Sequence, residues 1–463
     1  MEGDCGHGPE LEALRRANAQ LRSEVAEVRK LLEEALRASK RQAAPFSKGA
    51  PKTDPKTPGR KPGDAYGLKA HREPPSTIDE VIPVDLPEAC PCGGTLEFIE
   101  TVRQFQTEIP RQAIHRRFDL AVGRCRRCGR RVQGRHRLQT SDAVGAAAAQ
   151  VGPDAQAMIA LMKNKLGASY GDIQAALSDF FRIPLTRGGA AHAVLRAGRR
   201  VAAAYEGIKT LVRRSRKVYP DETGWKVGGI LWWKWVFVTR TATLFAIRHD
   251  RSGDVPDEFL GRNYSGTMIH DGWAPYDAFE KARHQQCLGH LIRRAKALQE
   301  AATRGAVRFP RQVLQILGHA FGLRDRRDAG AIRSHGLAVA VGRLRARMDR
   351  LLGGRFAHEG NYKFAKHLWK HQDQLFTFLE RPGIEATSWP ADQAIRPAVV
   401  NRKVFGGNRE PSGAVAQERL ASVVATARQR GVAVFEYLSR VLRAPDHRRD
   451  LLARRLLALP APP

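Results

Sequence analysis

Two aspartates in the middle of the chain stand at equivalent places, each where an apolar run stops and a Gly-Trp follows. Asp221 begins Asp-Glu-Thr-Gly-Trp, and Asp271 begins Asp-Gly-Trp. Two strand-like runs, 231–238 and 243–249, lie between them, and a third, 267–270, leads into Asp271. Carboxylates at the ends of neighbouring strands can hold a divalent metal over a phosphate. The spacing predicts such a site, although Asp-Gly pairs are also common in plain turns.

The segments around these aspartates must form a sheet that positions them. Their apolar residues fall on both faces, which predicts a sheet covered by helices on both sides. Gly228-Gly229 fits a tight hairpin turn between two strands. Adjacent strands with an aspartate on the first and on the last are the layout of a ribonuclease-H-like fold. We therefore expect a multi-domain α/β protein with this fold at its catalytic core.

The charge of the chain indicates the partner. Its 463 residues carry 78 Lys and Arg against 47 Asp and Glu, a formal net charge of +31. Such an excess predicts a polyanionic partner, although a generally Arg-rich proteome would give the same balance. No apolar run reaches the roughly 18 residues that span a bilayer, and the N-terminus lacks a signal-peptide core. We expect a cytoplasmic protein whose cysteines are thiols or metal ligands, and no membrane partner.

The N-terminal part predicts self-association followed by a linker. Residues 1–43 contain a heptad seam in which Leu11, Asn18, Val25 and Leu32 are spaced seven apart. This pattern is typical of a leucine-zipper-like coiled coil, in which Asn18 would fix the register. The alternative is an amphipathic helix that packs on its own domain. Residues 44–77 are rich in proline and basic residues, which predicts a semi-stiff linker, and Arg60-Lys61 is a candidate phosphate contact.

Two cysteine pairs predict a zinc-ribbon-like domain over residues 78–140. The pairs are Cys90/Cys92 and Cys125/Cys128. Only the second has the usual two-residue gap, so His115 or His136 is an alternative ligand, and loss of the metal is a further alternative. Basic residues crowd the second pair, with Arg126 and Arg127 between its cysteines, and they are candidate phosphate contacts.

Residues 150–215 predict consecutive helices, with Thr186 as a candidate N-cap. A helix, a short turn and a second helix with basic flanks fit a helix-turn-helix DNA reader. They fit a plain helical connector equally well. We keep both interpretations open.

Five sequence motifs resemble those of transposases of the insertion sequence 66 family. The zipper, the basic linker and the cysteine ribbon occur in that family in the same order, so the resemblance covers nearly the whole chain. The motifs read Asp221-Glu-Thr-Gly-Trp-Lys-Val-Gly-Gly, Trp232-Trp-Lys-Trp-Val-Phe-Val-Thr239, Asp271-Gly-Trp-Ala-Pro-Tyr276, Cys287-Leu-Gly-His290-Leu-Ile-Arg293-Arg294 and Ala394-Ile-Arg396-Pro-Ala-Val-Val-Asn-Arg402-Lys403-Val-Phe-Gly-Gly407-Asn408.

The resemblance implies a DDE-type enzyme in which three acids hold two Mg²⁺ (or Mn²⁺) ions for DNA cleavage and strand transfer. Asp221 and Asp271 match the first two acids. The third is expected at a helix start just before Ala394, where family members carry Glu and this chain has Asp392. The implied catalytic domain is 216–410, with a helical insertion at about 285–385, followed by C-terminal helices at 411–463.

Several basic and aromatic side chains are candidate DNA contacts near these acids. Trp369 and Trp389 are candidate base-stacking platforms, although packing in the core is the favoured role for each. Cys287 and His290 are expected to pack behind the site on a helix over 285–302, a metal role being the lesser alternative. The basic candidates are Arg293 and Arg294 on that helix, and Arg396, Arg402 and Lys403 beside the Gly406-Gly407 turn.

The sequence therefore predicts a transposase that acts on terminal inverted repeats and target DNA. Self-association, accessory transposition proteins and association with the nucleoid are expected with it. One alternative is a catalytically impaired copy that only binds transposon ends, because Asp392 replaces Glu. Another is a nuclease of the same fold that cleaves without joining.

Overall fold

The computed structural model describes residues 16–25, 113–134, 151–301 and 304–458, together with scattered residues between 27 and 138. The chain divides into two compact units, Met1–Pro110 and Arg111–Pro463. Within the first unit, residues 16–25 are helical, and Leu21 and Val25 on this helix are exposed. The Arg60-Lys61 pair and the Cys90/Cys92 pair lie outside the described residues, so the predictions about them stay predictions.

The second cysteine pair lies on a small hairpin. Strand β1 (Val122–Arg124) pairs antiparallel with β2 (Arg131–Gln133), and residues 125–130 form the turn. Two backbone bonds close the turn, from Cys125 N to Arg130 O (2.8 Å) and from Gly129 N to Cys125 O (2.9 Å). The backbone N–H groups of Cys128 and Arg127 donate to the Cys125 sulfur and lower the pKa of its thiol. This turn presents a thiolate-favouring sulfur, as a zinc ligand requires.

Four helices over residues 153–213 lead into the main sheet. The Thr186 hydroxyl accepts from Gly189 N (3.0 Å), which confirms the predicted N-cap. Ser169 and Asp172 form a capping box at another start. Residues 182–186 join the second helix to the third, and a role of this pair as a DNA reader stays a prediction. The helices are α1 (Pro153–Asn164), α2 (Tyr170–Phe181), α3 (Arg187–Arg200) and α4 (Ala202–Arg213).

A mixed five-stranded sheet follows, in the order β5-β4-β3-β6-β7. Strands β3, β4 and β5 are antiparallel, whereas β3, β6 and β7 are parallel. Gly228 (φ +59°) and Gly229 (φ +81°) form the predicted two-residue turn, because positive φ at both positions suits a type I′ hairpin. The strands are β3 (Lys217–Val227), β4 (Ile230–Val238), β5 (Thr243–Arg248), β6 (Thr267–His270) and β7 (Arg283–Gln286), with helix α5 (Asp254–Leu260) before β6.

Helices cover both faces of this sheet, as the apolar runs predict. On β4, Trp235 and Phe237 belong to a core shared with α1, α3 and α4. Val236 and Val238 alternate with them and belong to a separate core on the opposite face. This alternation follows from the two-residue period of a strand.

The edge strand β5 is protected by a C-terminal helix, α12 (Pro411–Gln429). Side-chain oxygens on successive turns of α12 accept hydrogen bonds from backbone N–H groups of β5, which would otherwise be unpaired at the sheet edge. The bonds run from Thr243 N to Thr426 Oγ1 (3.1 Å), from Phe245 N to Ser422 Oγ (2.8 Å) and from Ile247 N to Glu418 Oε2 (2.8 Å). Two further helices, α13 (Val434–Arg443) and α14 (Asp446–Ala458), follow.

Between β7 and residue 388, a helical insertion forms its own hydrophobic core. The predicted helix over 285–302 is corrected at its start, because 285–286 belong to β7 and the helix begins at Leu288. Residues 356–379, whose sequence predicts one long helix, do not form one, because the helix that begins at Glu359 ends at Lys370. The insertion contains α6 (Leu288–Ala301), α7 (Arg308–Asp328), α8 (Ser334–Leu352), α9 (Glu359–Lys370) and α10 (Thr377–Glu380); α11 (Trp389–Phe405) returns the chain to the sheet.

Candidate catalytic site

Asp221 lies in the middle of β3, opposite Val236 of β4. The expectation that it stands at a strand end was wrong, because the Gly-Trp after it does not stop the strand. Residues 222–227 continue to pair with β4 as far as the Gly228-Gly229 turn. The Asp221 Oδ1 atom accepts from Glu222 N (2.9 Å), which holds the carboxylate in place and leaves Oδ2 for a ligand.

Asp271 follows the last residue of β6, as predicted. Its Oδ1 atom accepts from Trp273 N (3.0 Å), so the carboxylate is fixed by the turn that begins with it. Gly272 has φ +85°, and a Cβ there would lie 2.3 Å from the Gln286 side-chain oxygen. The turn therefore requires glycine, and no larger residue keeps Asp271 in this position.

Asp392 lies in the first turn of α11, the helix start at which the third acid is expected. Its backbone N–H donates to Ser388 O (3.1 Å). Arg293 of α6 lies beside it, with Nη1 3.8 Å from Asp392 Oδ2. The insertion therefore places a cation next to the third acid.

The charges of Asp271 and Asp392 act on the carboxyl group of Asp221. Burial, and then the charges of Glu222, Asp392 and Asp271, raise the pKa of Asp221 from 3.8 to about 7. Like charges raise the pKa of a carboxyl only when they are near it. Parallel pairing of β3 with β6, together with the packing of α11 on β3 and β4, thus brings Asp271 and Asp392 near enough to Asp221 for their charges to act on it.

The donor chemistry of this cluster fits a divalent cation, which prefers carboxylate oxygens and would neutralise their mutual repulsion. As the side chains stand, however, no three His, Cys, Asp or Glu residues in the described part of the chain are arranged to hold a metal together. A bound cation would have to draw the carboxylates closer. The metal site of Asp221, Asp271 and Asp392 therefore stays a prediction.

Glu222, to which the sequence motif assigns no role, forms a buried network beside Asp221. Its side chain is almost fully buried, accepts a bond from the Tyr276 hydroxyl (3.3 Å) and forms an ion pair with Arg251 (2.6 Å). The Arg251 guanidinium also lies over the rings of Trp233 and Trp273, at 4.8 and 5.2 Å. This network ties β3 to the turn after Asp271. The sequence signal for this role was an acidic residue directly after Asp221. Side chains of neighbouring strand residues point to opposite faces, so Glu222 would not be expected to share the position of Asp221.

Cys287 and His290 support the segment that carries Asp392. Cys287 is buried, and its sulfur accepts from Ser388 N (3.1 Å), just before α11. Burial opposes ionisation of Cys287, but its bond to His290 lowers the thiol pKa, and the same bond raises the pKa of His290. The charge of Asp392 also acts on His290, so this pair lies close to the third acid. The placement agrees with packing behind the site.

The predicted basic contacts fall into different environments. Arg126 and Arg127 are exposed on the β1–β2 turn. Arg294 is partly buried over the Phe364 ring (4.8 Å), and Arg402 donates to the Gly224 carbonyl oxygen. Arg402 thus fixes α11 to β3. Arg396 and Lys403 also lie on α11 rather than in a glycine-rich loop.

Trp369 and Trp389 are 66% and 62% exposed, so the expectation that each packs in the core was wrong. Trp389 is the first residue of α11, three positions before Asp392. Apolar rings left in solvent beside acidic and basic groups are typical of a binding surface. The base-stacking alternative is therefore the one that their exposure favours.

Comparisons with known proteins place these features in a family. The sequence model of the transposase IS66 family matches residues 148–416, more than half of the chain. The matched range contains all three aspartates. The chain is also 30% identical over 103 residues to the uncharacterized protein y4jO of Sinorhizobium fredii (strain NBRC 101917 / NGR234). That alignment covers 22% of this chain and spans 31% of the relative. Within the described residues, no helix is both long and apolar enough to cross a membrane.

Proposed function

The chain belongs to the IS66 transposase family, and on this premise we propose that it is a DNA transposase that cleaves and joins transposon ends at Asp221, Asp271 and Asp392. The observation that carries the proposal is the pKa of Asp221, raised to about 7 by burial and by neighbouring carboxylates that include Asp392 and Asp271. Strongly perturbed acids gathered in one place are typical of catalytic sites. The strand order β5-β4-β3-β6-β7 supports a ribonuclease-H-like core.

Each acid has its own part in holding the reacting groups. Mg²⁺ or Mn²⁺ bound by the three acids would activate water or a DNA 3′-hydroxyl and stabilise the leaving oxygen. Asp221 is held by β3 and Asp271 by its glycine turn, so these two provide a rigid base. Asp392 is carried by the first turn of α11, which packs on β3 and β4. Arg293 beside it is placed to neutralise a phosphate that enters the site.

DNA is the proposed partner, as terminal inverted repeats and as target. The exposed rings of Trp369 and Trp389 and the exposed guanidinium groups on the β1–β2 turn support contact with a nucleic acid. We further propose structural Zn²⁺ at Cys125 and Cys128 with Cys90 and Cys92, and pairing of two chains through residues 1–43. The lowered pKa of the Cys125 thiol supports the zinc proposal.

A labelled transposon end incubated with the protein and Mg²⁺ tests the proposal. We expect cleaved and joined products, and their loss in Asp221→Asn and Asp271→Asn. Asp179→Asn, which removes an exposed aspartate of α2, is the matched control and should retain both products. Equal activity in all three variants would refute the assignment of the acids. Cleavage without joining would instead favour the nuclease alternative.

One observation favours the second candidate function, an impaired copy that only binds ends. Aspartate is shorter than glutamate by one C–C bond, about 1.5 Å, and a misplacement of about 1 Å can cost about a hundredfold in rate. The Asp392 carboxylate also lies against Arg293. DNA binding that persists while no cleaved product forms with Mg²⁺ or Mn²⁺ would support this function.

A further inference from the structure

The helical insertion contains a cavity to which none of the preceding roles applies. Its volume is about 720 Å³, and it lies between the start of α7, the end of α8 and the segment that leads into α9. Pockets that bind small organic ligands typically enclose about 300–1,000 Å³. The cavity is therefore large enough for one nucleotide.

The lining of the cavity is positively charged, which favours an anionic ligand. Four arginines line the cavity, and no acidic side chain is found among its described lining residues. Arg347 bonds His319 Nδ1 at 3.0 Å and Gln315 Oε1 at 3.1 Å, and it forms no ion pair with a carboxylate among the described residues. Arg350 and Arg355 are exposed at the rim. A guanidinium cluster of this kind fits phosphate oxygens.

The remainder of the lining suits a base. Phe356 lies against Phe309, with ring centroids 4.6 Å apart, and both rings line the cavity. Asn361 is only 3% exposed, and its Nδ2 donates to Ala306 O (2.7 Å). Its Oδ1 atom is buried without a hydrogen-bond partner among the described residues. A buried acceptor of this kind requires a donor, which the N–H groups of a base supply.

Packed side chains connect the cavity with the proposed catalytic acids. Phe309 contacts Phe364 (6.0 Å between centroids), and Arg294 lies over Phe364. The residue before Arg294 is Arg293, the partner of Asp392. The cavity and the helix that carries Arg293 and Arg294 are thus joined through the packed core of the insertion.

We propose that this cavity binds one unpaired nucleotide of a DNA strand, with its phosphate on Arg350 and Arg355 and its base against Phe356 and Asn361. The assignment of DNA as the ligand rests on the proposed function. An enzyme that opens a duplex end gains a place to hold an extruded base, since stacking on an aromatic side chain offsets the lost base stacking.

Fluorescence anisotropy with the full chain tests this proposal. The probes are a labelled oligothymidylate and a blunt duplex of the same length, each titrated over a range of salt concentrations. Phe356→Leu should weaken oligothymidylate binding about fivefold or more without changing its salt dependence. Arg350→Gln/Arg355→Gln should reduce the slope of log K against log salt by about 0.7, because the contact with one phosphate is lost.

Arg326→Gln is the matched control, since it removes an arginine from the same insertion about 27 Å along α7 from Arg308. It should bind like the parent protein. Parent-like oligothymidylate binding by the Phe356 variant, or an equal loss for the duplex, would overturn the proposal. If inorganic phosphate displaces the oligonucleotide equally from the parent and from Phe356→Leu, the cavity binds only an anion, and the proposal is overturned. Asp221→Asn should retain binding, so failure of catalysis alone would count only against the proposed function.

Discussion

Replacing Asp221 with asparagine should stabilise the protein at neutral and alkaline pH while it removes catalysis. Burial and neighbouring carboxylates raise the pKa of Asp221 from 3.8 to about 7, so the folded state favours the protonated carboxyl. Between about pH 4 and pH 7 the folded chain binds more protons than the unfolded chain, and stability falls as the pH rises. A difference of about three pKa units corresponds to at most about 4 kcal/mol. Asparagine cannot ionise, so it avoids this loss.

Urea denaturation in EDTA, from pH 4 to pH 9, measures the effect. The parent and Asp221→Asn should have similar free energies of unfolding near pH 4 and should diverge by up to about 4 kcal/mol above pH 7. Asparagine retains an oxygen for the Glu222 N–H, so the backbone contact is kept. Asp179→Asn, on the exposed face of α2, is the control and should follow the parent. A pH-independent difference, or none above pH 7, would refute the argument that burial and neighbouring carboxylates raise the pKa of Asp221.

Three further changes test other parts of the molecule. Asp392→Glu should keep or raise Mg²⁺-dependent strand transfer, since it extends the carboxylate by about 1.5 Å; loss of an activity that the parent shows would mean that the aspartate geometry is built in. Gly272→Ala should lower cleavage about tenfold or more, because its Cβ has no room and φ is +85°; Gly330→Ala, also at positive φ (+69°) but in open space, should leave cleavage unchanged. Ser422→Ala should lower the free energy of unfolding by about 1–3 kcal/mol in urea denaturation, because Phe245 N–H loses its buried acceptor; an unchanged midpoint would show that water replaces the hydroxyl.

Local patterns predicted those elements whose signal lies in neighbouring residues. The Gly228-Gly229 turn and strand β4 after it follow from turn chemistry and short-range periodicity, whereas the helix start at Asp392 was expected from the family resemblance. Strand β7 was missed because Arg-His-Gln-Gln has no apolar alternation. The tertiary structure makes it a strand, since β6 pairs with it, and the Gln285 side chain bonds Leu375 O (3.1 Å) and Phe378 N (2.8 Å) of the insertion.

For the candidate site, the sequence indicates which residues belong to it, whereas the tertiary structure sets their burial and their pKa values. The sequence by itself determined the placing of Asp221 and Asp271 before their Gly-Trp motifs, the basic excess and the spacing of Cys125 and Cys128, because residue types and spacing are local facts; Asp392 was singled out by the family resemblance. Only the tertiary structure decided that burial and neighbouring charges raise the pKa of Asp221 to about 7, that Trp389 is exposed three positions before Asp392 and that four arginines line one cavity. Burial and charge–charge energies depend on distances between groups that are far apart in the chain. Folding fixes those distances, and with them the chemistry that the acids can perform.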